Sequence, residues 1–438
     1  MPSHPVERDE LEAIVTAIPG PRSRVLASQL AAYEAPGVTY LGEDYPVFWE
    51  SAHGAIVVDV DGNRYLDLTS AFGVAATGHT NPAVVAAIET QARTLIHGMG
   101  DVHPTEVRTR LLERLAAITP GDLTKSFLST SGAEAVEFAL KTALLATGKS
   151  RLLAYHGAYH GLSLGALEVI GIDKFRAPFA PLIAERTTLL PYPDAETTTE
   201  AALAIARDAL THDPEVAAII VEPIQGRGGV IVPPDGWLRG LRALCDEHGV
   251  LLVLDEIYTG LGRTGTWFAC EREGVVPDLL CLGKALAGGV PLSATIGTPR
   301  VIDAWPRSTG EALHTSTFLG NPLACAAALA QLDEMQRLDV LRLVREREPI
   351  LTERLGALCT LPGVRDARGR GFLWAVEFAD GALANRIVVR ALARGLIVLQ
   401  SGPTGTSITI APPLTIADAQ LHRALDLFEQ TVREEGTR

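Results

Sequence analysis

Cysteine is scarce and unpatterned: Cys245, Cys270, Cys281, Cys325 and Cys359 are scattered, and no Cys-x-x-Cys pair occurs. An odd, dispersed set excludes a disulfide framework and a cysteine-built zinc site, and reads as reduced thiols. No metal site is expected. Positive charge is also short. Against 52 Asp and Glu stand 38 Lys and Arg, a formal net charge of -14. No surplus of cations is available to neutralise nucleic acid or an anionic membrane, so neither is an expected partner. Small anionic ligands stay open, because they need only a local cluster of donors. Long hydrophobic runs are missing too: residues 250–254 are apolar, but far too few to span a bilayer. Residues 1–12 are polar and acidic, without the apolar centre of a secretory leader, and the expected location is the cytoplasm. Internal repeats and low-complexity linkers are absent as well.

What is there is a globular balance, 47% hydrophobic and 21% charged over 438 residues. That length is enough for a large two-domain subunit. The head of the chain, to about residue 45, reads as an arm with one helix, since Leu26, Leu30 and Tyr33 recur at helical spacing. A β-meander follows, with residues 55–59 and 65–68 about a turn at Asp61-Gly62-Asn63. From about His79, helices alternate with short, continuously apolar strands, clearest at residues 151–155, 216–221, 250–254 and 279–282. Strands apolar on both faces are what a parallel sheet covered by helices requires. After about Asn321 the pattern becomes a long helix, a strand at 372–378, a helix, and short strands at 396–400 and 407–410. The expected division is an N-terminal arm and part of a small domain (1–75), a large α/β domain (76–320) and a C-terminal α+β domain (321–438).

Ligands of open parallel sheets sit at the carboxyl ends of the strands. After residues 250–254 comes Asp255-Glu256-Ile257; after 279–282, Gly283-Lys284; after 216–221, Glu222-Pro223-Ile224-Gln225-Gly226. Strand 151–155 runs into His156-Gly157-Ala158-Tyr159-His160-Gly161, and Ser131-Gly132-Ala133 opens an apolar helix. An acid, a lysine, an aromatic residue and a helix start on one edge suit pyridoxal 5′-phosphate. Free N–H groups at Ser131, Gly132 and Ala133 would cradle the phosphate. Tyr159 would stack on one face of the pyridine ring and Ile257 press on the other. Asp255 would keep the ring nitrogen protonated, and Lys284 would form the Schiff base and later move the proton. Singly, each has an ordinary structural use: Asp255 as a loop anchor, Lys284 as a solvated lysine, Tyr159 and His160 as core residues. Their ordered conjunction is what points to a site.

The chain resembles the class III aminotransferases of PLP fold type I. The matching segments stand in family order: Gly73 to His79, Ser131-Gly-Ala-Glu-Ala135, Ala158-Tyr-His-Gly161, Val221-Glu-Pro-Ile-Gln-Gly226, Leu254-Asp-Glu-Ile257, Thr259 to Gly265, Gly283-Lys284, Thr317 to Leu323, Arg368-Gly-Arg-Gly371 and Pro412 to Ile416. The resemblance implies an α/β fold, with a central, mostly parallel sheet carrying helices on both faces. A smaller α+β domain would be built from the N- and C-terminal segments. It also implies a homodimer with shared active sites, in which Thr317 reaches the phosphate of the partner subunit's cofactor. Arg368 matches an arginine that holds a substrate α-carboxylate in several members. The segment Tyr45 to Trp49 matches one that lines the substrate pocket, and Glu222 matches a glutamate at the cofactor and substrate site.

Departures from the family bear on substrate. Leu162 stands where the 4-aminobutyrate and acetylornithine enzymes have an arginine for a distal carboxylate. Tyr258 replaces a glutamine that faces the cofactor's phenolic oxygen, and Thr409 replaces the arginine that pairs with the glutamate matching Glu222. A cleft carboxylate without its cation is costly. The donor is therefore expected to be an amine, a diamine or a diamino acid, with a keto acid or aldehyde as acceptor. Transamination is the leading reading and amino-acid or lactam racemisation the runner-up. A regulator without turnover is disfavoured, since Lys284 and Asp255 are both present and no helix-turn-helix pattern is.

Overall fold

The computed structural model describes residues 11–437; residues 1–10 of the segment read above for a leader lie outside them. The chain opens with the helix Pro21–Tyr33, whose only buried residue is Ser23. The helical spacing holds, but its apolar positions are only partly covered: Leu26 and Leu30 are half-buried and Tyr33 is 91% exposed. Strands β2 (Ile56–Asp59) and β3 (Arg64–Asp67) form the expected hairpin, and β1 (Trp49–His53), not read from the sequence, adds to it antiparallel to β2. Asn63 at its turn also accepts the N–H groups of Val15 and Thr16, which fastens the arm.

Seven strands then build the central sheet: β4 (Lys125–Ser129), β5 (Arg151–Tyr155), β6 (Thr187–Leu190), β7 (Val216–Val221), β8 (Leu251–Asp255), β9 (Leu279–Leu282) and β10 (Ser293–Gly297). Their order is β4-β10-β9-β8-β7-β5-β6. β10 runs antiparallel to both its neighbours and the rest are parallel. All six residues of β7 and all five of β8 are buried. Each large apolar side chain so covered contributes about 1.5–3 kcal/mol. That burial fixes the strands, and their carboxyl ends fall on one edge.

The remaining strands are β11 (Val364–Arg370), β12 (Leu373–Phe378), β13 (Leu396–Ile397), β14 (Leu399–Ser401) and β15 (Ser407–Ile410). β11, β12, β15 and β14 form an antiparallel sheet, whereas β13 pairs in parallel with β3. The single strand read at residues 396–400 is thus two, in different sheets. Through β13 the tail of the chain completes a sheet begun near its head.

Candidate active site

Asp255, the last residue of β8, is buried. Its Oδ2 lies 2.7 Å from His160 Nδ1, and its Oδ1 accepts the N–H of Ile257 at 3.0 Å. With His160 donating, each carboxylate oxygen of Asp255 accepts one hydrogen bond. The other ring nitrogen, His160 Nε2, is buried without a partner among the described residues.

Lys284 follows β9 and Gly283, with φ of +43°. A non-glycine residue in this left-handed region is strained, and such strain persists where surroundings over-determine it, often at functional sites. Its Nζ lies 4.2 Å from the centre of the Tyr258 ring. Burial holds the ammonium below its ordinary pKa, against the opposing pull of Asp255 and Glu222. A lysine so placed keeps a larger share of free amine, as a nucleophile or base needs. The Tyr258 ring lies in a slot between Gly73 and Gly226, where an added Cβ would come within 2.5 and 2.4 Å of it. Burial pushes this phenol up to about 12, so it stays neutral.

Between β4 and the helix Gly132–Thr147, Ser131 caps the helix and Glu134 completes a capping box. Glu134 Oε2 takes the N–H groups of Thr130 and Ser131, and Ser131 Oγ accepts that of Glu134. The N–H groups of Gly132 and Ala133 have no partner among the described residues, and both residues line the cavity. Gly161, at φ +115°, lets the Tyr159 loop close on them: a Cβ there would meet that of Ala133 at 2.6 Å. An anion site at a helix start follows from these free donors and the dipole.

Glu222, at the end of β7, stitches two loops together. Its Oε1 accepts the Tyr159 N–H and its Oε2 the Gly226 N–H, each at 2.9 Å. Burial, with the charge of Asp255 adding to it, pushes this carboxyl up to about 7. Thr409, where an arginine was expected by resemblance, bonds instead to Ser401 Oγ at 2.7 Å. Among the described residues Glu222 therefore has hydrogen-bond donors but no ion-pair cation.

These groups enclose a cavity of about 580 Å³, within the usual range for small-molecule sites. Ser131, Gly132, Ala133, Tyr159, Glu222, Asp255, Ile257 and Lys284 all line it, with His160, Tyr258, Leu162 and Arg227. Free amide donors, a buried carboxylate, flanking apolar and aromatic side chains and an amine together fit pyridoxal 5′-phosphate. Trp49 lies instead in an adjoining aromatic cavity of about 520 Å³, which shares Phe72 and Leu399 with the first. Thr317 is exposed and does not line its own chain's cavity.

Arg368, expected at a substrate carboxylate, also lies outside the cavity lining. Its Nη1 pairs with Asp366 at 2.8 Å and Glu377 at 2.6 Å. Its Nε and Nη2 bond the carbonyls of Val230 and Gly229. The guanidinium is thus spent on its own sheet and on the loop after β7. Sequence reasoning passed over Arg227, which reads as one more residue of a Gly-x-Gly loop. The sequence assigns His160 no task of its own, because its contact with Asp255 spans 95 positions.

A family model described as class-III aminotransferase matches residues 40–432. The chain is 42% identical over 392 residues to a putrescine aminotransferase of Pectobacterium atrosepticum, covering 88% of this chain and 82% of that one. It is 40% identical over 440 residues to a 4-aminobutyrate aminotransferase of Mycobacterium tuberculosis, covering 94% and 96%. Among solved structures it resembles the adenosylmethionine-8-amino-7-oxononanoate aminotransferase of Methanocaldococcus jannaschii, with TM-score 0.88, 30% identity and coverage of 94% and 99%. It also resembles an ornithine aminotransferase of Toxoplasma gondii, with TM-score 0.83, 31% identity and 94% coverage of each chain.

Proposed function

The chain belongs to the class III aminotransferases, a pyridoxal-phosphate-dependent family of fold type I, and from that premise we propose that it takes its amino group from an amine or diamine and passes it to a keto acid. The observation that carries the donor class is Glu222, a carboxylate lining the cavity whose only hydrogen bonds among the described residues come from two backbone N–H groups. Leu162 lines the same cavity where relatives that handle a distal carboxylate carry arginine. A second ammonium on the donor would give Glu222 the cation it lacks. The 42% identity to a putrescine aminotransferase supports this reading.

Each residue has a task derived from its place. Gly132 and Ala133 N–H groups bind the cofactor's phosphate, with Ser131 capping the helix that presents them. Tyr159 and Ile257 orient the pyridine ring, and Asp255, held by His160, keeps its nitrogen protonated. Lys284 Nζ would hold the group covalently and, when free, would serve as the base that takes the proton from the substrate's α-carbon. The cofactor supplies an electron sink for the charge left on that carbon. Tyr258 lies beneath Nζ and gives the displaced ammonium an aromatic face, worth about 0.5–2 kcal/mol.

Thr317 is assigned to the partner subunit's phosphate in a homodimer. Ile96, Met99, Val102, Leu313 and Phe318 are exposed, and the bonds Thr315–Asp101 and Asn321–Ile96 join the two loops that carry them. Apolar exposure of this kind marks an interface. Trp49 would line the outer wall of the substrate pocket, and the cytoplasm is the proposed location.

Kinetics test the donor class. With one acceptor, putrescine is expected to exceed 4-aminobutyrate at least tenfold in kcat/KM; the reverse order would overturn the assignment. The pH dependence adds a second check. Below about 7 the Glu222 carboxyl is protonated and offers no charge, whereas above it the carboxylate attracts an ammonium that stays charged to about pH 10. The KM for putrescine should therefore fall as pH rises through 7. Glu222→Gln should flatten that dependence; an unchanged profile in the variant would remove Glu222 from donor recognition.

A further inference from the structure

A keto-acid acceptor brings at least one carboxylate, and burying it needs a cation. All three arginines that the resemblance offers are out of play: position 162 is a leucine, position 409 is a threonine, and Arg368 is engaged outside the cavity. Arg227 is the one arginine that lines the cavity among the described residues. Its guanidinium makes no hydrogen bond or ion pair with any described residue; its contacts are two aromatic rings, Tyr159 at 5.8 Å and Phe175 at 5.5 Å. Its charge is close enough to Lys284 to help depress the pKa of that amine.

We infer that Arg227 is the residue that binds the carboxylate of the keto-acid acceptor, a role resting on the aminotransferase reading above. Its surroundings are built for the task. The rings of Tyr159 and Phe175 meet edge to face at 5.7 Å, and together they support the flat guanidinium while leaving its N–H edge free. Guanidinium stacking on aromatic faces and bidentate bonding to carboxylate are compatible, because one uses the faces and the other the edge.

The backbone that carries Arg227 is pinned at three points. Gly226 N–H bonds to Glu222, the Arg227 carbonyl accepts the Gly402 N–H at 3.0 Å, and Arg368 grips the Gly229 and Val230 carbonyls. Arg368 is thus a positioning residue, setting the loop whose arginine meets substrate. Donor and acceptor then use different groups of one cavity: an ammonium at Glu222, a carboxylate at Arg227. A site that must take both substrates in turn needs no side chain to swing from one to the other.

The test uses the cofactor-loaded enzyme and two acceptor types, the 2-oxo acids pyruvate and 2-oxoglutarate and the carboxylate-free aldehyde butanal. Arg227→Met should lower kcat/KM for the oxo acids by about 10- to 100-fold, the range for a lost charged hydrogen bond, mostly through KM. The loss for butanal, which has no carboxylate to bind, should be at least about fivefold smaller, and Arg227→Lys should fall between. Equal losses for both acceptor types, or none for the oxo acids, would overturn the assignment. Calorimetric titration with glutarate, which carries no reacting carbonyl or amine, separates this proposal from the reaction itself. Glutarate binding that weakens about tenfold in Arg227→Met supports the carboxylate site even if the wild-type enzyme transfers no amino group. Unaltered glutarate binding overturns it even if the enzyme is an active transaminase.

Discussion

Lys284→Ala is expected to lower turnover by on the order of 10⁴-fold or more, with the chain still folded and the cofactor still held noncovalently. Two functions leave with one side chain: covalent attachment and removal of the α-proton. General base catalysis alone is worth about 10²- to 10⁴-fold, and covalent catalysis adds to it. Nothing else in the cavity substitutes. Tyr258 is held neutral by burial, His160 is committed to Asp255, and Glu222 bonds two backbone amides. Loss of the visible band of the lysine-bound cofactor, with retained near-ultraviolet absorbance and thermal transition, would separate lost chemistry from lost fold. Small primary amines added to the variant should restore part of the rate, because they supply a base of the missing type. Wild-type turnover in this variant would refute the role of Lys284 outright.

The second large effect is expected at Asp255. Asp255→Asn keeps the side-chain size and the Ile257 contact but removes the negative charge. The pyridine nitrogen would then lose the partner that keeps it protonated, and with it much of the electron withdrawal that stabilises the substrate carbanion. A loss of about 10²- to 10³-fold in kcat is expected, comparable to deleting one preorganised electrostatic contact in other active sites. The structure adds that His160 Nδ1, at 2.7 Å, fixes which carboxylate oxygen is left for the ring. His160→Gln should therefore cost less than Asp255→Asn, with Lys284 chemistry otherwise intact. If His160→Gln proved the more damaging, the histidine would have a task beyond orienting Asp255. Cofactor affinity and kcat measured on both variants decide between these outcomes.

How much of this was legible depended on the range of the interactions. The strands that carry Glu222, Asp255 and Lys284 announce themselves as apolar runs, because burial on both faces leaves no polar position. β4 (Lys125–Ser129), β6 (Thr187–Leu190) and β10 (Ser293–Gly297) did not stand out, being short and rich in Ser and Thr or small residues. The helix start is a local feature, so Ser131, Gly132 and Ala133 stand out in the sequence as a proposed phosphate cradle, although the Ser131 N–H is taken by Glu134 and not free. The tasks of Arg368 and Arg227 were not. Both are arginines beside glycines, and only the fold shows that one is saturated by Asp366, Glu377 and two carbonyls while the other faces the cavity. The contact of His160 with Asp255 and the Tyr258 slot between Gly73 and Gly226 are likewise products of long-range closure.

The most direct test of the central claim is the visible spectrum of the cofactor-loaded protein while putrescine is added with no acceptor present. Loss of the band of the cofactor bound at Lys284 is expected, and its return when a 2-oxo acid follows. A band that persists while the optical rotation of a chiral amino acid or lactam decays would contradict amino transfer and make the enzyme a racemase.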